Sequence, residues 1–125
     1  MAGTTVIGRG VAVFEAAPVT GSWRRLDHPD DVLGLMDDGA TGVVACVADA
    51  GATFLAPILD ELTAVVCLSG TPSSHIGIVS RELLVPCVMG AALTSPPSDG
   101  DTVEVDCRGA EGLIRVVAAE PGGAS

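Results

Sequence analysis

The chain contains no lysine and no tyrosine, and its only cations are six arginines set against sixteen carboxylates, a formal charge of −10. Nucleic-acid binding needs a basic patch that neutralises phosphates, and docking on an anionic membrane needs the same. The scattered arginines argue against both partners. An acidic surface of this kind serves solubility. Aromatic residues are nearly absent: Phe14, Trp23 and Phe54 are all there are. The core must therefore be built from Val, Leu, Ile and Ala. Long hydrophobic runs are missing too, because Asp, Glu, Pro or Gly interrupts every apolar stretch before it reaches membrane-spanning length. The N-terminus has Arg9 but no sustained apolar segment, and Glu15 follows soon, so no signal peptide is read there and a cytoplasmic location is expected.

The four cysteines, Cys46, Cys67, Cys87 and Cys107, form no C-x-x-C pair and have no histidine ligand nearby in sequence. Each lies in or beside an apolar run, which predicts reduced, buried thiols acting as small hydrophobes, with no metal site. His28 sits among acidic residues and prolines in Leu26-Asp27-His28-Pro29-Asp30, and reads as a loop residue without a functional role.

At 125 residues, 48% of them hydrophobic, the chain is long enough for one domain with a modest core. We expect that domain over residues 1–118, followed by a disordered tail at 119–125. Short strands are expected at 6–7 and 11–14, a loop from 17 to 31, and a helical turn at 31–36. A buried strand follows at 43–48, and then an amphipathic helix at 54–62 capped by Thr53. A second buried strand at 64–68 leads into a loop at 69–74, a helix over 75–84 that Pro86 ends, and a strand at 87–89. A loop at 92–100 and two further strands, 102–106 and 112–117, complete the pattern. Strand, helix, strand, helix and strand followed by more strands predict a compact α/β domain.

The most informative segment is Gly70-Thr71-Pro72-Ser73-Ser74-His75-Ile76-Gly77-Ile78-Val79-Ser80-Arg81-Glu82. A turn-forming Gly-Thr-Pro precedes two hydroxyl residues, then a histidine, then a helical pattern. This places an imidazole at a helix N-terminus, where unpaired backbone N–H groups and the positive dipole end favour a phosphate. Neutral imidazole is abundant near pH 7 and is nucleophilic, so His75 can accept a phosphoryl group. Ser73 and Ser74 can cap the helix or hydrogen-bond the imidazole and phosphate. Gly70 and Thr71 form the phosphate loop. Arg81 can help neutralise phosphoryl charge, although it lies almost two turns away and also suits a surface ion pair.

This segment resembles the phosphohistidine swivelling (mobile) domain of phosphoenolpyruvate-utilising enzymes: pyruvate phosphate dikinase, phosphoenolpyruvate synthase and enzyme I of the sugar phosphotransferase system. The family pattern runs roughly Gly-Gly-x-Thr-Ser-His-Ala-Ala-Ile-x-Ala-Arg-Glu-x-Gly-Ile-Pro-Ala-Val. Gly70, Ser74, His75, Ile78, Arg81, Glu82, Pro86 and Val88 match it, and Ser73 stands for the threonine. The second family motif, Gly-Asp-x-Val-x-Val-Asp, is matched in full by Gly100-Asp101-Thr102-Val103-Glu104-Val105-Asp106. Gly100-Asp101 reads as turn chemistry. The likeness is clear from about Val43 to Val116. Thr71, Pro72, Ile76-Gly77, Leu84 and Val85 depart from the pattern, and none removes the nucleophile.

The resemblance implies a swivelling β/β/α fold and a phosphocarrier role for His75. It also implies partner domains or subunits that bind nucleotide and phosphoenolpyruvate or pyruvate. Magnesium, nucleotide and phosphoenolpyruvate would sit on those partners, and this chain would bind no cofactor and be inactive alone. No P-loop glycine pattern appears here. Two rival readings are a non-catalytic docking or regulatory module that retains the fold, favoured by Thr71 and Gly77, and a small subunit of an aconitase-like dehydratase.

Overall fold

The computed structural model describes residues 4–49, 55, 57–71 and 73–117. Among these, seven strands form a single sheet: β1 (Thr4–Ala12), β2 (Ala16–Arg25), β3 (Val43–Val47), β4 (Ala64–Cys67), β5 (Cys87–Leu93), β6 (Thr102–Cys107) and β7 (Glu111–Val117). Their spatial order is β1-β5-β4-β3-β2-β6-β7, and β7 pairs back onto β1, so the sheet closes into a barrel. Two helices, α1 (Pro29–Asp38) and α2 (His75–Leu83), and a 3₁₀ turn (Leu59–Glu61) lie in the connections.

The barrel has two halves. Strands β2 to β5 run parallel, joined by crossovers that carry α1, the 3₁₀ turn and α2. The pairs β1–β5, β1–β7, β2–β6 and β6–β7 are antiparallel. Parallel strands need both faces covered, which is why β3 (VVACV) and β4 (AVVC) are apolar and buried at every position. Alternation then sorts their side chains. Val44, Cys46 and Val66 join Trp23, Val105 and Ile114 in the barrel interior. Ala45, Val47, Val65 and Cys67 face a second cluster with Val32 and Leu35 of α1 and Ile76 of α2. Trp23, only 2% exposed, is the bulky filler of an otherwise aliphatic interior. Truncating it to alanine is expected to cost about 3–5 kcal/mol.

The closed barrel overturns the expected α/β swivelling β/β/α architecture: strands dominate and only two helices are present among the described residues. The decisive stretch is 16–25, expected to be loop because of Pro18, Gly21 and its charges. It is instead β2, which pairs β3 on one side and β6 on the other and so joins the two halves. Pro18 is tolerated because the β2–β6 register shifts between Ala16 and Val19, where a missing N–H breaks no regular ladder. Gly21 is required because a Cβ there would lie 2.7 Å from the Gly42 carbonyl oxygen.

Smaller corrections follow the same logic. Residues 4–12 form one strand, with register shifts near its glycines, rather than two short pieces. The expected turn at 31–36 is a ten-residue helix that begins with Pro29. Of the helix expected at 54–62, the described residues show only the 3₁₀ turn Leu59–Glu61. Its proposed cap Thr53, Phe54 and the tail at 119–125 lie outside the described residues. All four cysteines are free and buried. Among the described residues, no helix is long and apolar enough to cross a membrane.

Candidate functional site

The His75 segment leaves the barrel at the end of β4 and returns at the start of β5. Its root is tied down on both sides. The Ser69 hydroxyl donates to the Ala48 carbonyl (2.6 Å), just past β3, and the Gly90 N–H of β5 donates to the Ser69 carbonyl (3.3 Å). Both glycines at this junction adopt positive φ, Gly70 at 85° and Gly90 at 61°. A Cβ at Gly90 would also approach the Gly70 carbonyl oxygen to 3.3 Å. Gly90 was not singled out from sequence, although an isolated glycine inside a strand is a signal of close backbone approach.

Beyond Gly70 the hydroxyl residues hold the loop in shape. Thr71 N–H donates to Ser74 Oγ (3.0 Å), and Ser74 N–H donates back to the Thr71 carbonyl (2.8 Å). The Thr71 and Ser73 hydroxyls lie 2.9 Å apart. Ser74 is the residue before α2 and has extended backbone angles, as an N-cap should, but its side chain makes no capping bond to the helix. The first intrahelical bond is Ile78 N–H to the Ser74 carbonyl (3.0 Å). The backbone N–H groups of His75, Ile76 and Gly77 therefore have neither a helical acceptor nor a side-chain cap.

His75 is the first residue of α2 and its side chain is exposed. The helix buries Ile76, Gly77 and Ser80 against the core, which turns the imidazole outward. Its first turn carries no acidic residue. Arg81 is exposed and shares a shallow surface depression with Ser73, Ile78 and Glu82. The structure thus brings Arg81 beside Ser73, while His75 is not part of that lining. At the far end, Leu84 occupies the left-handed conformation (φ 59°, ψ 36°) while 74% exposed. It stands where the resembled pattern has glycine, and the backbone shows why glycine suits that place.

The second motif is wired into the barrel. Gly100 (φ 96°) donates to the Trp23 carbonyl, Trp23 N–H donates to the Asp101 carbonyl, and Asp101 Oδ2 accepts from Ser98 N–H, so Gly100-Asp101 shapes a turn. Asp106, whose side chain is 7% exposed, accepts from Arg108 Nε (3.1 Å), Nη2 (2.8 Å) and N–H (3.1 Å), and from Arg115 Nη1 (3.0 Å). Arg115 Nη1 also donates to Glu104 (2.9 Å), the residue opposite it in the β6–β7 register. The hydrogen bonds from Arg108, ahead of that from Arg115, hold the Asp106 carboxyl far below the usual carboxylate range. This network was not foreseen, because the register that sets Glu104 opposite Arg115 is not visible in the sequence. Among the described residues, no group of three or more His, Cys, Asp or Glu is placed to hold a metal ion.

The sequence of the chain matches the family described as PEP-utilising enzyme, mobile domain, over residues 39–109. No curated protein gives a significant match. Among solved structures, the fold is similar to an MccF-like protein from Bacillus anthracis str. Ames (TM-score 0.59, 11% identity, 87% of this chain and 43% of that one). It is also similar to a muramoyltetrapeptide carboxypeptidase from Oxalobacter formigenes (0.55, 12%, 94% and 51%) and to an uncharacterized protein from Pseudomonas syringae pv. tomato str. DC3000 (0.51, 12%, 91% and 64%). At these identities the likeness is one of fold alone. The chain spans about half the length of these structures. The narrower identification drawn from sequence, a swivelling α/β domain of the dikinase, synthase and enzyme I type, is overturned by these neighbours and by the closed sheet. The sequence match spans more than half of the chain and includes the whole His75 loop and helix, and on that ground the chain belongs to the family of PEP-utilising enzyme mobile domains.

Proposed function

We propose that this chain is a phosphocarrier that accepts a phosphoryl group on His75 from one partner site and surrenders it at another. One observation carries the reading. An exposed imidazole is the first residue of a helix whose leading N–H groups are uncapped and whose first turn holds no carboxylate. A phosphoryl group on that ring would find unspent backbone donors and the positive dipole end. Ser74 Oγ accepts from Thr71 N–H, which leaves its own hydroxyl proton free to donate to the imidazole or to a phosphoryl oxygen. Ser73 and Arg81 line one shallow depression, so Arg81 is the cation available on this face of the protein.

In the transfer step an imidazole nitrogen attacks phosphorus in line, the N–P bond forms, and the bond to the donor's leaving atom breaks. Return transfer reverses these changes. Positioning and charge stabilisation carry most of the catalysis. With a net charge of −10 and Arg81 as the cation beside the loop, the chain itself offers little positive charge to a phosphoryl in flight. Its partners, nucleotide-binding and phosphoenolpyruvate- or pyruvate-binding domains or subunits, would supply it together with magnesium. A cytoplasmic setting, where those donors reside, goes with this role.

The test needs no partner. Phosphoramidate, a small phosphoryl donor, is incubated with the chain, and the product is mapped by mass spectrometry before and after acid. The expected result is a single phosphate on His75, lost in acid and retained in base, and absent from His75→Ala. Acid-stable phosphate on Ser73 or Ser74, or unchanged labelling of His75→Ala, would overturn the assignment. A chain that takes up no phosphate would be the docking or regulatory module.

A further inference from the structure

The His75 loop hangs from one serine. β4 ends at Cys67, paired with Val47 of β3, and the Leu68 N–H still donates to the Val47 carbonyl (2.9 Å). Past that point a side chain continues the pairing. Ser69 Oγ donates to the Ala48 carbonyl at 2.6 Å, at the short end of hydroxyl hydrogen bonds. On the other side the Ser69 carbonyl accepts the Gly90 N–H of β5 (3.3 Å). Ser69 is therefore tied to the chain on both sides of β4 at once. Gly70 then turns the chain away with φ 85°, its carbonyl packed close to Gly90. Among the described residues, the hydrogen bonds of Thr71, Ser73 and Ser74 stay within the loop and α2. Ser69 is thus the last point at which hydrogen bonds hold the loop to the barrel.

We infer that Ser69 is a positioning residue for phosphoryl transfer at His75 and acts through Ser74. The inference rests on the phosphocarrier reading. Its hydroxyl and carbonyl fix the peptide unit that leads into Gly70, and Gly70 aims the Thr71 N–H. That N–H occupies one lone pair of Ser74 Oγ (3.0 Å) and so sets where the Ser74 hydroxyl proton points. A hydroxyl carries one proton and rotates to suit its partners. With its oxygen held, the proton is aimed before charge develops on a transferring phosphoryl, which is when a donor helps most. The helix fixes the other partner: buried Ile76 and Gly77 seat the first turn and thereby His75. It does not aim Ser74, whose side chain makes no capping bond to α2. The direction of that hydroxyl is decided at the loop root. Ala48 is exposed, so water takes its carbonyl when the Ser69 hydroxyl is removed, and the fold survives the change.

The test is the rate at which the full chain is labelled by phosphoramidate, which passes its phosphoryl to a His75 ring nitrogen and leaves as ammonia. Ser69→Ala should slow labelling about tenfold or more, and Ser69→Thr, which keeps the hydroxyl, should return it to within about twofold of wild type. In a Ser74→Ala background the same Ser69→Ala change should cost less than about twofold, because a residue that acts through Ser74 then has nothing left to aim. Thr94→Val removes a hydroxyl-to-carbonyl bond of the same kind, to Ile7 beyond the end of β5, and should label at the wild-type rate. Amide exchange at Thr71 should quicken in Ser69→Ala and recover in Ser69→Thr, a readout that needs no phosphate. Unslowed labelling of Ser69→Ala, an undiminished effect in the Ser74→Ala background, or unchanged exchange at Thr71 would each overturn this role and leave the phosphocarrier reading standing. A wild-type chain that takes no phosphate on His75 would overturn that reading and this role together.

Discussion

Both histidines of this chain stand at helix starts, and the two starts are built in opposite ways. His28 is the N-cap of α1, where Asp31 Oδ2 accepts the N–H groups of Asp27 (2.9 Å) and His28 (3.0 Å). Those hydrogen bonds, Asp27 first and then His28, hold the Asp31 carboxyl below its ordinary value, and Asp30 adds a second charge to the same turn. The chain has thus answered the α1 dipole with its own carboxylates, and a phosphate approaching there meets like charge. At α2 the Ser74 N–H goes to the Thr71 carbonyl, the first turn carries no acid and no side-chain cap, and a solvent-facing imidazole is its first residue. A histidine at a helix start is therefore not enough to suggest phosphate chemistry. What distinguishes His75 is that its helix start has been left unanswered.

The contrast extends along α2. Ser80 is fully buried and its hydroxyl has no partner among the described residues, and Leu84 takes a left-handed conformation that costs an L-residue about 1–2 kcal/mol. Among the described residues, the other buried side-chain polar atoms are paired, as in the Glu104–Arg115–Asp106–Arg108 network on β6, β7 and the turn between them. Local compromises gathered in one element are what the phosphocarrier role proposed for α2 would require, since functional elements trade stability for geometry.

The sharpest way to break the comparison is to remove each histidine in turn. His75→Ala should abolish acid-labile labelling by phosphoramidate and His28→Ala should leave it intact, with both variants within about 0.5 kcal/mol of wild-type stability as surface changes usually are. Equal labelling of the two variants would erase the distinction. A second test gives α2 the answer α1 already has. Ser74→Asp should raise stability by about 0.5–1 kcal/mol through the dipole while cutting labelling at least about tenfold, and a variant in which both quantities move together would refute the argument.

On the paired side, Asp106→Asn should cost about 2–3 kcal/mol in denaturant melts, because Arg108 and Arg115 lose a charged acceptor. The folded pKa of Asp106 is depressed, so its contribution is complete above the ordinary carboxylate value of 3.8 and is lost as pH falls below it. The stability of wild type should fall in that acid range more steeply than that of Asp106→Asn. Leu84→Gly should stabilise by about 1 kcal/mol, since the relief of the left-handed strain outweighs the added unfolded-state entropy. Ser80→Ala, which deletes the orphaned hydroxyl, should be neutral or stabilising by up to about 1 kcal/mol, and a clear loss of stability would mean the hydroxyl has a role in the core.

Much of the chain's local organisation is legible without coordinates. The uninterrupted apolar runs around Val43 and Val65 mark buried strands, and Pro86 marks the end of α2. The Gly-Thr-Pro-Ser-Ser-His series marks an exposed imidazole at a helix start. These features are legible because hydrophobic periodicity and turn chemistry act between residues close in sequence. The helix expected over 54–62 shows the limit of that signal, since an apolar spacing at Leu55, Ile58 and Leu62 served burial against the sheet with only a 3₁₀ turn formed among the described residues.

What the sequence by itself determined is local: the aliphatic core, the acidic surface, the position of α2 and the placement of His75 at its first residue. Tertiary structure alone decided the rest. Barrel closure depends on β2 finding β3 and β6 at once, despite Pro18 and Gly21. The charge network depends on β6–β7 register, and the anchoring of the His75 loop on contacts from Ala48 and Gly90. Each of these is a pairing between segments distant along the chain, and such pairings are chosen by which faces can be buried together, a property of the assembled sheet rather than of any one stretch of residues.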